Sequence, residues 1–197
     1  MRFQTVSTGL AALTIAAGTL ILMEPRSQAA NDNNTTQDEK LKIQIGQQIV
    51  PAISLNLSGK DPDTVYLGSY IVNSTGCNDC HTNPPYVGNP FAGDPIKINA
   101  AQYMGGGRAF GPGVISRNIT PDAAGLPAGL SYAEFSQALR NGVDFDHIHP
   151  LLQTMPWPRF RYLTDREMNA IYTYLSTIPC LEGDPGVSTA PTHRCTP

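Results

Sequence analysis

Apolar residues along this chain fall into a few short periodic stretches separated by polar or glycine- and proline-rich segments. The first stretch is continuous: Val6 to Met23 is an 18-residue apolar run behind Met1-Arg2, softened by Thr14, Gly18 and Thr19. Ser27-Gln28-Ala29 follows with small residues where a signal peptidase reads, so residues 1–30 read as a signal peptide cleaved after Ala29 or Ala30. The run is just long enough to span a bilayer, and contact with a membrane is expected only if it stays uncleaved. Residues 31–60 read as an N-terminal arm with a short helix. Asn31 to Lys40 is polar and expected to be flexible, whereas Leu41, Ile45 and Ile49 recur at helical spacing up to Pro51, which stops a helix. Residues 61–197 form the remaining domain and its tail. Asp61-Pro62 looks like an N-cap with proline at the first helical position, and Val65, Gly68 and Val72 share one face of the helix that follows, ending near Ser74 to Gly76.

Two later helices carry stronger signals. Ser131 and Glu134 form a capping box, Leu130 and Phe135 a hydrophobic staple, and Gly142 stands where a C-terminal stop belongs. Thr164 and Glu167 repeat the box, with Leu163 and Met168 as staple. Met168, Ile171, Tyr172, Leu175 and Ile178 then make a buried stripe that Pro179 ends. The intervening residues 82–130 contain 7 prolines and 9 glycines in 49 positions, so a third of that segment resists helix and strand interiors. A compact domain rarely carries so long an irregular segment unless something other than side chains helps fill its core.

Cys77-Asn78-Asp79-Cys80-His81 supplies a reason. It is a CxxCH run, the attachment signature for haem c: two thiols reach the vinyl groups on one porphyrin edge and His81 offers its ring to the iron. Thiol–disulfide oxidoreductases and half zinc sites share the CxxC spacing. The first wants an alternating strand ahead of the motif, and the second wants a further Cys or His pair. Here a helical stretch precedes the motif, and the remaining cysteines, Cys180 and Cys195, lack that spacing. No second CxxCH occurs, so one covalently bound haem is expected. Thioether attachment in bacteria takes place outside the cytoplasm, so a leader and the motif support each other. An oxidising compartment also favours a Cys180–Cys195 disulfide, whose loop closure is worth about 3 kcal/mol in the chain-entropy model.

Iron bound by His81 needs a ligand on its opposite face, unless that position is open. Once residues 1–30 are removed, the methionines are Met104, Met155 and Met168. Met168 belongs to a helical stripe and Met104 precedes three glycines. Met155 is followed by Pro156-Trp157-Pro158, which stiffen the backbone around it, and is the favoured ligand. His147 and His149 are the alternatives, in a stretch that otherwise reads as a solvated polar loop.

Charge narrows the partners. Residues 1–30 contain Arg2, Arg26 and Glu24, so their removal takes the formal net charge from −3 to −4. A mildly acidic chain without clustered Lys and Arg argues against nucleic acid. The remaining 167 residues suit one domain with one core.

With these residues in place, the chain resembles class I bacterial cytochromes c over most of residues 60–180. Gly68 and Val72 look like the first helix of that all-α fold, and Ile171, Tyr174 and Leu175 like its last. A closer resemblance is to the monohaem modules of periplasmic cytochromes, including cytochrome subunits of alcohol and aldehyde dehydrogenases. It is carried by Cys80-His81-Thr82, Asn118-Ile119-Thr120-Pro121-Asp122, Met155-Pro156-Trp157 and Leu163-Thr164-Asp165 in order. Such subunits usually carry several haem motifs, whereas this chain has one. The resemblance implies helices packed around one haem, a Pro84 or Pro85 carbonyl accepting from the His81 ring, and Arg108, Arg117, Tyr103 and Trp157 within reach of the propionates. It implies a periplasmic electron carrier with no catalytic residue, serving redox partners such as a dehydrogenase or terminal oxidase. The alternative is a peroxidase-like enzyme or gas-binding sensor with an open or histidine-ligated sixth position.

Overall fold

The computed structural model describes residues 26–145, 150–183 and 195–196. The element order is α1 (Arg26–Gln48), α2 (Pro62–Ser74), α3 (Cys77–His81), β1 (Tyr86–Val87), β2 (Lys97–Ile98), β3 (Ala109–Gly111), β4 (Val114–Ile115), α4 (Tyr132–Asn141) and α5 (Asp165–Leu175). The described chain is thus mostly helical. The all-α expectation is amended by two small antiparallel ladders, β1–β2 and β3–β4, inside the glycine- and proline-rich segment.

The caps form as their sequences dictate. The Asp61 carboxylate accepts from the Thr64 amide at 3.1 Å, with Pro62 behind it. Both capping boxes close: Ser131 with Glu134 at α4 and Thr164 with Glu167 at α5. These bonds favour the charged carboxylate, so the Ser131 hydroxyl and amide hold Glu134 below its ordinary value of 4.5. A carboxyl depressed in the fold contributes stability above its unfolded pKa and loses it as pH falls through the lowered value. A Glu134→Gln variant should therefore melt with a weaker acid dependence than the parent between about pH 5 and pH 2, measured by thermal unfolding across that range.

α2 and α5 cross at the centre of the core. Val65, Leu67, Ile71 and Val72 meet Met168, Ala170, Ile171, Tyr174 and Leu175, all buried. The crossing is close because Gly68 has no side chain: a Cβ there would lie 2.0 Å from the Ala170 carbonyl oxygen and 2.6 Å from Tyr174 Cβ. The aromatic partner of that glycine is therefore Tyr174.

The N-terminal helix is longer than its apolar spacing predicts. Residues 31–40, expected to be a flexible arm, continue the helix that ends at Gln48. Extending an existing helix is cheap compared with nucleating one, and tertiary contacts hold α1 at Gly46 and at Glu39. The Ser69 hydroxyl donates to the Gly46 carbonyl at 2.8 Å, and Arg166 Nε on α5 donates to Glu39 at 2.8 Å. The apolar run at 6–23 lies outside the described residues, and the expected cleavage point at Ala29 or Ala30 lies within α1 of the full chain. Among the described residues no helix is long and apolar enough to cross a membrane.

Candidate functional site

Cys77, Cys80 and His81 all lie on α3, a single short helix entered through Gly76 in the left-handed region at φ 84°. Three- and four-residue spacings share a helix face, so the two thiols and the imidazole are presented together. All three are half-buried, and their neighbours Asn78 and Thr82 are buried. Neither thiol is in a disulfide. Burial pushes the Cys77 thiol up, outweighing the lowering from its Thr75 hydroxyl contact. A redox-exchange cysteine at a helix start requires the opposite shift. Among the described residues no group of three or more His, Cys, Asp or Glu is placed to hold a metal ion, as a closed zinc site needs.

The His81 ring is oriented from across the fold. Its Nδ1 lies 2.9 Å from the carbonyl oxygen of Arg117, 36 residues away in sequence. A carbonyl only accepts, so Nδ1 carries the proton and Nε2 the lone pair, which is the tautomer of a metal-binding imidazole. The proline carbonyls that the resemblance implied are engaged elsewhere. Pro84 accepts from the Asn99 side chain at 3.0 Å and Pro85 from the Asn99 amide at 3.1 Å, where the segment folds back beside the β1–β2 ladder.

Residues 103–107 brace the motif from behind. The Gly106 amide donates to the His81 carbonyl at 2.8 Å, and the Met104 amide donates to the Thr82 hydroxyl at 3.0 Å. Gly106, at φ 75°, is pressed so closely on the next segment that a Cβ would sit 2.4 Å from the Arg117 carbonyl carbon. Arg108 reaches back through its guanidinium to the Asp79 carbonyl, inside the CxxCH helix.

The remaining sequence candidates separate clearly. Tyr103 is a core residue. It is buried, its hydroxyl donates to Asn73 at 2.7 Å and lies 3.0 Å from the Tyr174 hydroxyl, and burial holds its pKa well above the ordinary value. Arg117 and Trp157 are half-buried, and the Arg161 guanidinium stacks 5.0 Å from the Trp157 ring centre. Met104 and Met168 are fully enclosed in the core, while Met155 is half-buried at its margin. His147 and His149 lie outside the described residues. Cys180 and Cys195 are joined by a disulfide.

The donor set suits the covalent haem that the motif implies: two unpaired thiols on one helix face, and an adjacent imidazole in the coordinating tautomer.

Comparison with known proteins bears on the same reading. No family model matches the chain, and no solved structure matches it. The cytochrome c subunit of the quinone alcohol dehydrogenase of Gluconacetobacter polyoxogenes is 30% identical over 116 residues, covering 58% of this chain and 22% of that subunit. The gluconate 2-dehydrogenase cytochrome c subunit of Pantoea cypripedii is 32% identical over 109 residues, 54% of this chain and 21% of the subunit. The fructose dehydrogenase cytochrome subunit of Gluconobacter japonicus is 28% identical over 113 residues, 56% of this chain and 20% of the subunit. These likenesses support a cytochrome c-like module. The matched stretch spans about a fifth of the length of these curated relatives.

Within that cytochrome c-like module, sequence reading missed the Arg117 carbonyl as the partner of His81. A signal was present in Asn118-Ile119-Thr120, since Asn two residues before Thr is an Asx-turn pattern that fixes the backbone locally. The pattern does not reveal which distant ring the neighbouring carbonyl meets.

Proposed function

We propose that the chain is a monohaem class I c-type cytochrome, exported to the periplasm, that carries single electrons between redox proteins. The observation that carries the reading is the CxxCH helix, with unpaired thiols at Cys77 and Cys80 and with the His81 Nδ1–H committed to the Arg117 carbonyl. Cys77 and Cys80 would hold the haem through two thioether links, and His81 and Met155 would ligate its iron. When bound, the haem iron supplies reversible one-electron chemistry at a potential set by its ligands and burial.

The protein's own contribution is to hold these groups still. The Arg117 carbonyl orients the imidazole and strengthens it as a donor. Pro156 and Pro158 stiffen the loop that presents Met155, so a weak thioether ligand stays in place at low entropic cost. Met104 and Met168 are less suited, because withdrawing either from the core leaves a cavity. No general acid, base or nucleophile is required, so the chain acts as a carrier and not as a substrate-transforming enzyme. The similar cytochrome subunits belong to dehydrogenases, which makes a periplasmic dehydrogenase the proposed electron donor.

The test is spectroscopic. The purified exported chain should show a low-spin haem c spectrum with the weak red-edge band of an iron(III)–thioether bond. Met155→Ala should abolish that band, lower the reduction potential and open the iron to carbon monoxide. An unchanged spectrum would move the ligand assignment to Met104, His147 or His149. A high-spin parent protein would favour the peroxidase or gas-sensor alternative.

A further inference from the structure

We infer that Asn118 is a positioning residue that fixes the Arg117 carbonyl against the His81 ring and couples that ring to the segment after α5. The inference rests on the reading of His81 as the iron ligand and deepens it. The carbonyl of Arg117 and the amide nitrogen of Asn118 belong to one planar peptide unit. Whatever immobilises Asn118 therefore sets the direction in which the Arg117 oxygen points.

Asn118 is immobilised on every side. It is 2% exposed. Its Oδ1 accepts from the Thr120 amide at 2.9 Å and the Thr120 hydroxyl at 2.7 Å. Its Nδ2 donates to the Leu181 and Gly183 carbonyls, both at 2.8 Å. The amide side chain thus uses two donors and two acceptor positions, its full capacity. A local turn needs only the oxygen. The nitrogen reaches 63 and 65 residues along the chain, to a strap that begins beside the Cys180–Cys195 disulfide.

The strap and the turn are tied a second time, since the Leu181 amide donates to the Thr120 hydroxyl at 3.1 Å. The opposite face of the same peptide unit is closed by Gly106, where a Cβ would meet the Asn118 nitrogen at 2.6 Å. The carbonyl that holds His81 is consequently clamped between the segment bonded to the His81 backbone and the C-terminal strap. A hydrogen bond at Nδ1 makes the imidazole a stronger electron donor and favours oxidised iron. Loosening the clamp weakens that bond and raises the reduction potential.

The experiment compares 15N-labelled holoprotein variants by the solvent exchange of the His81 Nδ1–H and by reduction potential. Asn118→Ala is expected to exchange roughly tenfold faster, the factor that weakening by about one net hydrogen bond gives, with a higher potential. Tyr172→Phe is the reference, because it removes a hydrogen bond of similar length, 2.9 Å to the Leu130 carbonyl, far from the motif in sequence. It should lower the melting temperature and leave both readouts unchanged. If Asn118→Ala melts early but matches Tyr172→Phe in exchange and potential, Asn118 is structural only and the inference is overturned. Should Asn118→Ala fail to fold, Thr120→Val removes one strap contact and one of the two bonds to the Asn118 oxygen, and the same two readouts must move in the same directions by less. An unmodified chain that carries no covalent haem refutes the iron reading by its mass. The exchange comparison reports the ring-to-carbonyl bond separately, so the two failures are distinguishable.

Discussion

Replacing both Cys77 and Cys80 with alanine is expected to leave the exported chain at the mass of its amino acids alone, while the parent chain weighs one haem more. The two thiols sit three residues apart on one helix, are half-buried and take part in no disulfide. Each single variant retains at most one thioether and should yield little stable holoprotein. Coordination by His81 and the proposed ligand Met155 would not replace the thioethers in an intact-mass measurement, because coordinate bonds exchange whereas thioethers do not. Residues 82–130, between the motif and the N-cap of α4, form only short elements, so loss of the cofactor should also destabilise that half of the protein. Replacing Cys180 and Cys195 with serine provides the contrast: that pair is consumed in its own disulfide, and haem should still attach. Intact-mass measurement beside a working maturation apparatus decides the matter. Covalent haem on the double Cys77/Cys80 variant would refute the attachment chemistry.

Gly68→Ala is expected to destabilise the α2–α5 crossing severely through a single added methyl group. The new Cβ would stand 2.0 Å from the Ala170 carbonyl oxygen and 2.6 Å from Tyr174 Cβ. Neither obstacle can swing aside, since one is backbone and the other is the first atom of a buried ring whose hydroxyl is engaged with Tyr103. The helices must separate, and overpacking of this kind costs about 1–3 kcal/mol, with the upper end expected where backbone is struck. At this chain length each kcal/mol lowers the melting temperature by roughly 2–4 °C. Trimming Ala170 to glycine should not rescue the variant, because the clash is with a carbonyl that every residue carries. A Gly68→Ala protein that melts with the parent would show that the α2–α5 crossing is looser than these distances state.

The helices of the second half were legible because their instructions are local. Ser131 and Glu134 cap α4, and Thr164 and Glu167 cap α5, through bonds spanning three residues, so both partners appear in one short window. Gly68 was legible as part of one helix face, but the ring it meets was not. Tyr174 stands 106 positions away, and its choice over the other tyrosines depends on how α5 rotates against α2. The polar stretch at 31–40 was misread for the same reason. Nothing in its own residues forms an apolar stripe, and its helix is supported by Glu39 meeting Arg166 and by the helix already present at 41–48. In the candidate site, the thiols and the imidazole are one motif and are visible as such. Tyr103, proposed near a propionate, proves to be a core residue because its hydroxyl finds Asn73 and Tyr174.

By itself, then, the order of amino acids determined which atoms can bond to a cofactor, where helices start and stop, and which faces seek burial. Those are properties of windows a few residues wide, governed by covalent spacing and helical periodicity. Only the tertiary structure decided which carbonyl holds the His81 ring, which methionine stays at the margin of the core, and that the segment after α5 reaches back to Asn118. Such contacts join residues tens of positions apart. They exist only once the helices have packed, when burial leaves each polar group no partner except the one the fold delivers.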